Sequence, residues 1–223
     1  MPLIKLSDIK KSYQDGKDHL NYVLRGVNLE MDRGEFLAVK GVSGSGKTTL
    51  LSILGTLIQP DSGSYLLNNT EMISSRTDHS EIRNKQIGFV FQDHRLMPQY
   101  TVLENILLPV LAFSSKAGKE EVDYARHLLD LTKISGIAGQ YPATISGGEA
   151  SRVAVCRALI MKPLLLLADE PTGQLDTENA RNIAHLLAEI NINLHTTIIM
   201  VTHSDETSSV AHCILTLKDG ILQ

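Results

Sequence analysis

The chain has 223 residues, 43% of them hydrophobic and 21% charged, which is ordinary for a globular protein and excludes a disordered or fibrous chain. With 21 Lys and Arg residues against 25 Asp and Glu residues, the net charge is −4. A chain without an overall basic charge is a poor candidate for binding nucleic acid, and we expect no nucleic-acid partner.

The cysteines and the N-terminal residues bear on the compartment. Cys156 and Cys213 lack the spacing of a metal or redox site, so we expect both to be core residues in a reducing environment. The segment Met1–Lys5 lacks the basic-then-apolar layout of a secretory signal, and no apolar run reaches the ~18 residues that span a bilayer. We therefore expect a soluble, cytoplasmic protein.

The N-terminal residues alternate between apolar and polar in short pieces, as in Ile4–Leu6 and Val27–Met31. The breaks at Asp15-Gly16 and Arg33-Gly34 are typical of turns between antiparallel strands. We expect a small antiparallel β layer here.

Four apolar runs predict strands that are buried on both faces of a parallel sheet. They are Phe36–Lys40, Ile87–Phe91, Leu164–Ala168 and Thr196–Thr202. Because helical patterns separate them, the alternation indicates an α/β fold.

The segment from about 93 to 161 is mainly helical in its pattern, with apolar residues at helical spacing in Glu120–Thr132. We interpret it as a helical insertion within the parallel sheet. The run Leu215–Leu222 is typical of a terminal hairpin around Asp219-Gly220. The predicted organisation is a single domain, 1–223, with the β layer and sheet core at about 1–92 and 162–223 and a helical subdomain at about 93–161.

A phosphate-binding loop, Gly41–Thr48, stands between the strand Phe36–Lys40 and the helix-compatible run Thr49–Leu54. Its glycines allow backbone torsions that turn successive N–H groups towards phosphate oxygens, and the following helix adds the positive end of its dipole. Lys47 would neutralise the β and γ phosphates, and the Thr48 hydroxyl would ligate Mg²⁺. This strand–loop–helix order favours a nucleotide site over a chance glycine-rich turn.

Two adjacent acids, Asp169 and Glu170, follow the apolar run Leu164–Ala168. Because side chains alternate along a strand, we expect the two acids to face different partners. Asp169 suits the acid that holds Mg²⁺ through its water shell, and Glu170 suits the base that orients or deprotonates the attacking water. Two solvated acids at the end of a strand are the alternative, and the phosphate loop makes that reading the weaker one.

Polar residues also follow two other predicted strands. Gln92 comes after Ile87–Phe91, and His203 comes after Thr196–Thr202. An open parallel sheet binds its ligands beyond the carboxyl ends of its strands, so both side chains could reach phosphate, metal or water. Taken alone, each would be an ordinary loop residue; their shared position with the phosphate loop favours a functional role.

A second anion site follows in the helical region. Ser146–Gly148 precedes the helix-like run Ala150–Leu159, and the N-terminus of a helix attracts anions. One phosphate loop does not need this second site. With Ile145 and Glu149 at its ends, the segment resembles the Leu-Ser-Gly-Gly-Gln signature of the ATP-binding-cassette superfamily, and the order of the motifs extends the resemblance over essentially the whole chain.

The resemblance implies a phosphate-loop ATPase fold, with ATP and Mg²⁺ as cofactors and with two copies that close around two ATP molecules. It assigns catalysis to Lys47, Gln92, Glu170 and His203, and metal binding to Thr48, Gln92 and Asp169. It assigns nucleotide binding to Tyr13, Gly41, Val42, Ser43, Gly44, Ser45, Gly46, Lys47, Thr48 and Thr49. It assigns contact with the partner's ATP to Ser146, Gly147, Gly148 and Glu149, and it places Asp176 in a dimer-contact loop. Tyr13 would stack on adenine; simple packing is the alternative.

Glu149 in place of Gln, together with the run Ala168–Asp176, resembles the branch that contains lipoprotein-release, macrolide-efflux and cell-division cassettes. That branch implies a separate integral membrane permease and a peripheral location on the inner face of the cell membrane. Two positions depart from the usual pattern, namely Ala150-Ser151 after the signature and Ser204 after His203. The alternatives are a cell-division-type regulator with little hydrolysis, and a soluble cassette acting on DNA or ribosomes, which would need a coiled-coil insertion or a second cassette.

Overall fold

A computed structural model describes residues 1–15, 19–73 and 78–223. Gly16 lies outside the described residues, so the turn at Asp15-Gly16 stays a prediction. In chain order the strands are β1 (Ile4–Asp15), β2 (His19–Met31), β3 (Phe36–Lys40), β4 (Ser62–Leu67), β5 (Thr70–Glu71), β6 (Ile87–Val90), β7 (Leu165–Asp169), β8 (Thr197–Thr202), β9 (Cys213–Lys218) and β10 (Ile221–Leu222). The helices are α1 (Lys47–Leu54), α2 (Ser80–Gln86), α3 (Val102–Leu111), α4 (Lys119–Leu131), α5 (Gly147–Leu159), α6 (Thr177–Leu194) and α7 (Asp205–Ser208), with 3₁₀ turns at Ser135–Ile137 and Pro142–Thr144.

The N-terminal β layer is a four-stranded antiparallel sheet in the order β2-β1-β4-β5. The prediction of an antiparallel layer is confirmed. β1 and β2 are strands of 12 and 13 residues, and shifts in their register break the alternation, so the short pieces of the sequence pattern belong to two continuous strands. β4 was not indicated by the pattern, because it begins with Ser62-Gly63-Ser64, residues that are typical of turns.

The second sheet has six strands in the order β10-β9-β3-β8-β7-β6. β3, β8, β7 and β6 run parallel to one another, which confirms the four predicted strands to within one residue at their ends. All six residues of β8 are buried, as expected for a strand covered on both faces. Because the strands are parallel, their carboxyl ends meet at one edge of the sheet. β9 and β10 form the predicted terminal hairpin around Asp219-Gly220.

The segment between β6 and β7 is helical, as predicted. Its helices bury apolar side chains against one face of the six-stranded sheet, including Val102, Ile106, Leu128 and Val153. α3 and α5 both begin with a capping box, in which the N-cap side chain and a glutamate three residues later satisfy each other's backbone N–H groups. The boundaries of the helical subdomain, 93 and 161, stay a prediction.

Burial corrects one expectation from the sequence. Cys156 is buried in α5, but Cys213 is exposed, so the prediction that both cysteines belong to the core was wrong for Cys213. The cause is the position of β9 towards the sheet edge, where most of its residues face outward and Leu217 alone is buried. Among the helices of the described residues, none is long and apolar enough to cross a membrane.

Candidate active site

The loop from β3 to α1 presents the features of a phosphate cradle. Gly44 and Gly46 have φ angles of 79° and 101°, which residues with a Cβ rarely adopt. Gly46 is the N-cap of α1, and a glycine has no side chain to accept from the first N–H groups of the helix. Those groups are therefore open to an anion, as the sequence predicts.

The side chain of Lys47 is oriented across this loop by two carbonyl groups of the loop itself. Its ammonium group donates to Gly41 O at 2.8 Å and to Val42 O at 3.1 Å, and the residue is only 7% exposed. The same nitrogen lies 3.9 Å from Glu170 Oε1. A positive charge is thus held inside the loop next to the second acid of the carboxylate pair.

Thr48 and Asp169 supply the oxygen atoms expected of a magnesium site. The Thr48 hydroxyl donates to Asp169 Oδ1 at 3.3 Å, which links the first turn of α1 to the last residue of β7. Burial raises the pKa of Asp169, and the hydrogen bond from Thr48 opposes that rise. A hydroxyl and a carboxylate beside the phosphate cradle are donors that Mg²⁺ accepts, so the residues present fit the ion.

Glu170 leaves the strand in a left-handed backbone conformation, with φ at 46°. Its N–H donates to Val201 O, and its carbonyl oxygen accepts from Gly173 N, each at 3.0 Å. Its Oε2 lies 2.7 Å from His203 Nδ1. The two acids do face different partners, but the reason given from the sequence was wrong. The turn at Glu170 separates them, because Glu170 is no longer part of the strand.

A cavity of about 750 Å³ collects most of the predicted residues at this edge of the sheet. Gln92 lines it close to Gly173, where an added Cβ would lie 3.0 Å from Gln92 Nε2. Gly41 and Ser45 lie close together within the loop, since a Cβ on Gly41 would lie 2.5 Å from Ser45 Oγ, and neither they nor Asp169 line the cavity. The described residues that line the cavity are Val23, Val42, Ser43, Gly44, Gly46, Lys47, Thr48, Thr49, Gln92, Glu170 and His203.

Tyr13 lies on β1, in the β1–β2 strand pair, and is not among the residues that line the cavity. It pairs with Asn21, and two residues further along β2 the side chain of Val23 lines the cavity. The ring is 44% exposed and lies 5.6 Å from the ammonium group of Lys11. An exposed aromatic ring suits stacking on a base, and that role of Tyr13 stays a prediction.

The signature residues lie together with the predicted dimer-contact loop, outside the cavity. Ser146 is the N-cap of α5. Asp176 is the N-cap of α6, and its carboxylate accepts from the backbone N–H of Asn179 at 3.0 Å. The two helix starts touch, because a Cβ on Gly148 would lie 2.9 Å from Asn179 Oδ1. One subunit therefore carries two separate surfaces with nucleotide-binding motifs.

The loop after β6 is held by hydrogen bonds from α5, which we call the signature helix because it begins at the signature. We call this contact the clasp, and the sequence did not reveal it. Arg157 of α5 donates to the carbonyl oxygens of His94 and Arg95, each at 2.6 Å, and the imidazole of His94 lies 2.7 Å from Ser151 Oγ. His94 and Arg95 have φ angles of 56° and 49°. The clasp holds two left-handed residues in the loop that begins with Gln92.

The departures from the family pattern have structural roles. Ser151, the second residue of the unusual pair after the signature, is buried and also donates to Gly147 O at 3.1 Å. Ser204 caps α7 by accepting from Thr207 N at 3.3 Å, which fixes the loop that carries His203. Neither substitution removes a group from the cavity.

The fold and the site together define a phosphate-loop ATPase. The ABC transporter family model matches residues 24–173. The lipoprotein-releasing system ATP-binding protein LolD 1 of Rhodopirellula baltica is 44% identical over 221 residues, which are 99% of this chain and 96% of that protein. The LolD protein of Saccharophagus degradans is 41% identical over 223 residues, with coverage of 99% and 96%.

Solved structures agree with the sequence comparisons. A dimeric structure of the ABC transporter cassette MJ0796 is similar at a TM-score of 0.87 and 37% identity, covering 99% of this chain and 96% of that one. The same cassette in a post-hydrolysis state bound to ADP and Pi is similar at a TM-score of 0.87 and 36% identity, with the same coverage. The chain belongs to the ABC transporter family. It is an ATP-binding and ATP-hydrolysing subunit of an ABC transporter, and the predicted α/β fold class is confirmed.

Proposed function

We propose that two copies of this chain close on two ATP–Mg²⁺ and drive a separate membrane permease in lipoprotein-release-like export. The observation that carries the proposal is the separation of the cavity from the signature surface within one subunit. A second copy would bring the two surfaces together. The LolD relatives, which span nearly the whole chain, support lipoprotein release as the process; location on the inner face of the membrane is part of the proposal.

The predicted residues at and next to the cavity would have distinct tasks. ATP would supply the phosphoryl group, and a bound Mg²⁺ would supply positive charge to its oxygens. Thr48, Gln92 and Asp169 would hold the ion, and Lys47 would stabilise negative charge on the phosphates. Glu170 orients or deprotonates the attacking water, and His203 positions the carboxylate of Glu170 through their hydrogen bond of 2.7 Å. Ser146 of the partner subunit would donate to the same ATP.

A groove of about 490 Å³ beside the clasped loop suits the permease. Its floor is aromatic, with Phe89 and Phe91 stacked at 5.5 Å between ring centroids, and Phe113 stands 55% exposed beside them. Arg83 and Arg157 add positive charge to its lining. An apolar segment with an acidic residue, such as a cytoplasmic helix of a membrane protein, would fit these groups. Binding there would act on the Gln92 loop.

The test of the ATPase mechanism is Glu170→Gln in the full chain. We expect hydrolysis to fall by about a hundredfold to ten-thousandfold because the water loses its base, whereas ATP binding persists and dimers accumulate in size-exclusion chromatography with light scattering. Glu189→Gln, an exposed acid on α6, is the control and should leave both unchanged. Equal, near-background hydrolysis in the wild type and Glu170→Gln would contradict the mechanism.

The test of the partner is co-purification from detergent-solubilised membranes with a photo-crosslinking residue at Phe113. We expect a crosslink to a four-span permease with a large extracytoplasmic domain. The control position is Ile192, which is 63% exposed and does not line the groove. A crosslink to a six-span importer-like protein would contradict the lipoprotein-release assignment, and a crosslink at Ile192 alone would contradict the groove.

A further inference from the structure

Both polar hydrogens of Ser146 are donated to one carboxylate oxygen. The backbone N–H of Ser146 lies 2.8 Å from Glu149 Oε2, and its hydroxyl lies 2.7 Å from the same atom. In return, the Ser146 hydroxyl oxygen accepts from the backbone N–H of Glu149 at 3.3 Å. These bonds hold the pKa of Glu149 below its usual range, so the group is an anion at neutral pH.

This arrangement places a negative charge where the proposed function requires a phosphate. The Ser146 hydroxyl can donate only one hydrogen bond at a time, and it is already used. A carboxylate and a phosphate also repel each other at short range. The ATP of a second subunit therefore meets a signature whose serine is occupied by an internal anion.

We propose that Glu149 is an internal competitor for the partner subunit's ATP: its carboxylate holds Ser146 in the separate subunit and must release it before the dimer closes. The competition sets the ATP concentration at which two subunits associate. This inference rests on the proposed function, because it requires the signature to bind the ATP of a second copy.

The chain contains a matched capping box that serves as an internal control. At the start of α3, Thr101 N and Thr101 Oγ1 donate to Glu104 Oε2 at 2.7 and 2.8 Å, and Glu104 N donates back at 3.3 Å. This geometry agrees with that of Ser146 and Glu149 to about 0.1 Å. Glu104 is not among the residues of the cavity or the signature surface. A change from Glu to Gln should therefore alter both helix starts equally, but ATP-driven association at only one of them.

The experiment measures the ATP concentration that gives half-maximal dimerisation, in full-length chains that also carry Glu170→Gln so that dimers persist. We expect Glu149→Gln to lower that concentration about threefold to tenfold, because a neutral amide competes less strongly for the hydroxyl. Glu104→Gln should leave it unchanged. High salt should reduce the difference in this ATP concentration between chains with Glu149 and chains with Glu149→Gln, since the carboxylate of Glu149 competes through its charge.

Two outcomes overturn the inference: an unchanged midpoint in Glu149→Gln, or an equal shift in Glu104→Gln. Ser146→Ala separates this failure from failure of the proposed function. If Ser146→Ala prevents dimerisation and Glu149→Gln has no effect, the inference alone is wrong. If Ser146→Ala dimerises normally with ATP, the proposed role of the signature is wrong as well. Thermal unfolding of each variant shows whether the helix start has survived.

Discussion

Two helix starts in this molecule are built for anions in opposite ways. α1 begins after Gly46, whose φ of 101° and lack of a side chain leave the first N–H groups open. α5 begins after Ser146, where a complete capping box satisfies the same kind of groups from within. The first has open N–H groups that fit a phosphate, whereas the second is already satisfied from within and, in the proposed dimer, would exchange its internal acceptor for an external one.

This difference gives the two nucleotide-related surfaces of one chain different affinities for an anion in the separate subunit. An open helix start attracts ATP in the separate subunit. A capped start has its N–H groups satisfied from within, so in the proposed dimer it would bind ATP only when a second copy presents ATP at close range. In the proposed mechanism, the chemistry of the two caps would favour ATP binding to one subunit first and closure of the pair afterwards.

Gly46→Ala should break the open start and gives the largest expected effect. The added Cβ would meet Val23 Cγ1 at 2.8 Å, and the alanine would have to keep a φ of 101°, which residues with a Cβ disfavour. This strain costs about 1–3 kcal/mol of stability. We expect ATP affinity, measured by calorimetry, to fall by about a hundredfold or more. Gly136→Ala is the control, since nothing lies within 4 Å of its added Cβ. Unchanged ATP affinity in Gly46→Ala would contradict the role of the open start of α1 in ATP binding.

Ser146→Ala should break the capped start with a different result. We expect ATP binding by the separate chain to persist, whereas hydrolysis falls by about a hundredfold because one donor to the reacting phosphate is lost. Thr101→Ala removes the equivalent cap of α3, with a similar loss of stability of about 1 kcal/mol. If Thr101→Ala lowered hydrolysis as much, the loss would belong to the cap and the role of the serine would be disproved.

Arg157→Lys tests the connection between the two surfaces, because Arg157 lies on the signature helix and clasps the loop of Gln92. A lysine cannot span two carbonyl oxygens as a planar guanidinium does. We expect faster amide hydrogen exchange in residues 92–97, a higher Mg²⁺ requirement and hydrolysis lowered by about tenfold. Arg152→Lys, which alters a single bond to Thr132 O at 2.9 Å, is the control. Unaltered exchange in 92–97 would exclude the clasp.

The acids of the two sites should respond oppositely to pH, which is the smallest effect. Burial raises the pKa of Asp169, so its ionised form weakens the fold above an ordinary pKa of about 4. Asp169→Asn should raise the melting temperature at neutral pH, and the gain should vanish in acid. Hydrogen bonds lower the pKa of Glu149, so its contribution is present above its ordinary pKa and is lost as the pH falls. Glu149→Gln should lower the melting temperature slightly at neutral pH. If the two variants changed the melting temperature in the same direction, the opposite effects of these two acids on stability would be contradicted.

The sequence predicts the features whose causes lie in neighbouring residues. Phe36–Lys40 followed by the glycines and Lys47 encodes strand, loop and helix in one run, and the structure has each in place. The parallel strands are equally legible, because burial on both faces makes them continuously apolar. The dimer and the permease follow from resemblance, and the individual site roles remain predictions.

The sequence does not predict contacts between distant residues or unusual torsions. The left-handed backbone of Glu170 depends on a bond to Val201 O in another strand, and no local pattern signals it. The clasp by Arg157 joins residues about 60 positions apart in the chain. One signal was present: Arg157 stands four residues after the buried Val153, so an arginine lies on the inner side of the helix, where a charge needs a partner.

Gly88 in β6 decides how closely the signature helix approaches the sheet. A Cβ at this position would lie 2.3 Å from the carbonyl oxygen of Ala158 in α5, so helix and strand meet backbone to backbone. A contact without side chains offers a point about which the helix can turn but little room to slide. Ala158 is the next-to-last residue of α5, so this contact lies at one end of the helix and Ser146 stands at the other end. A displacement at the groove, next to Arg157, would reach Ser146 as a swing of the signature.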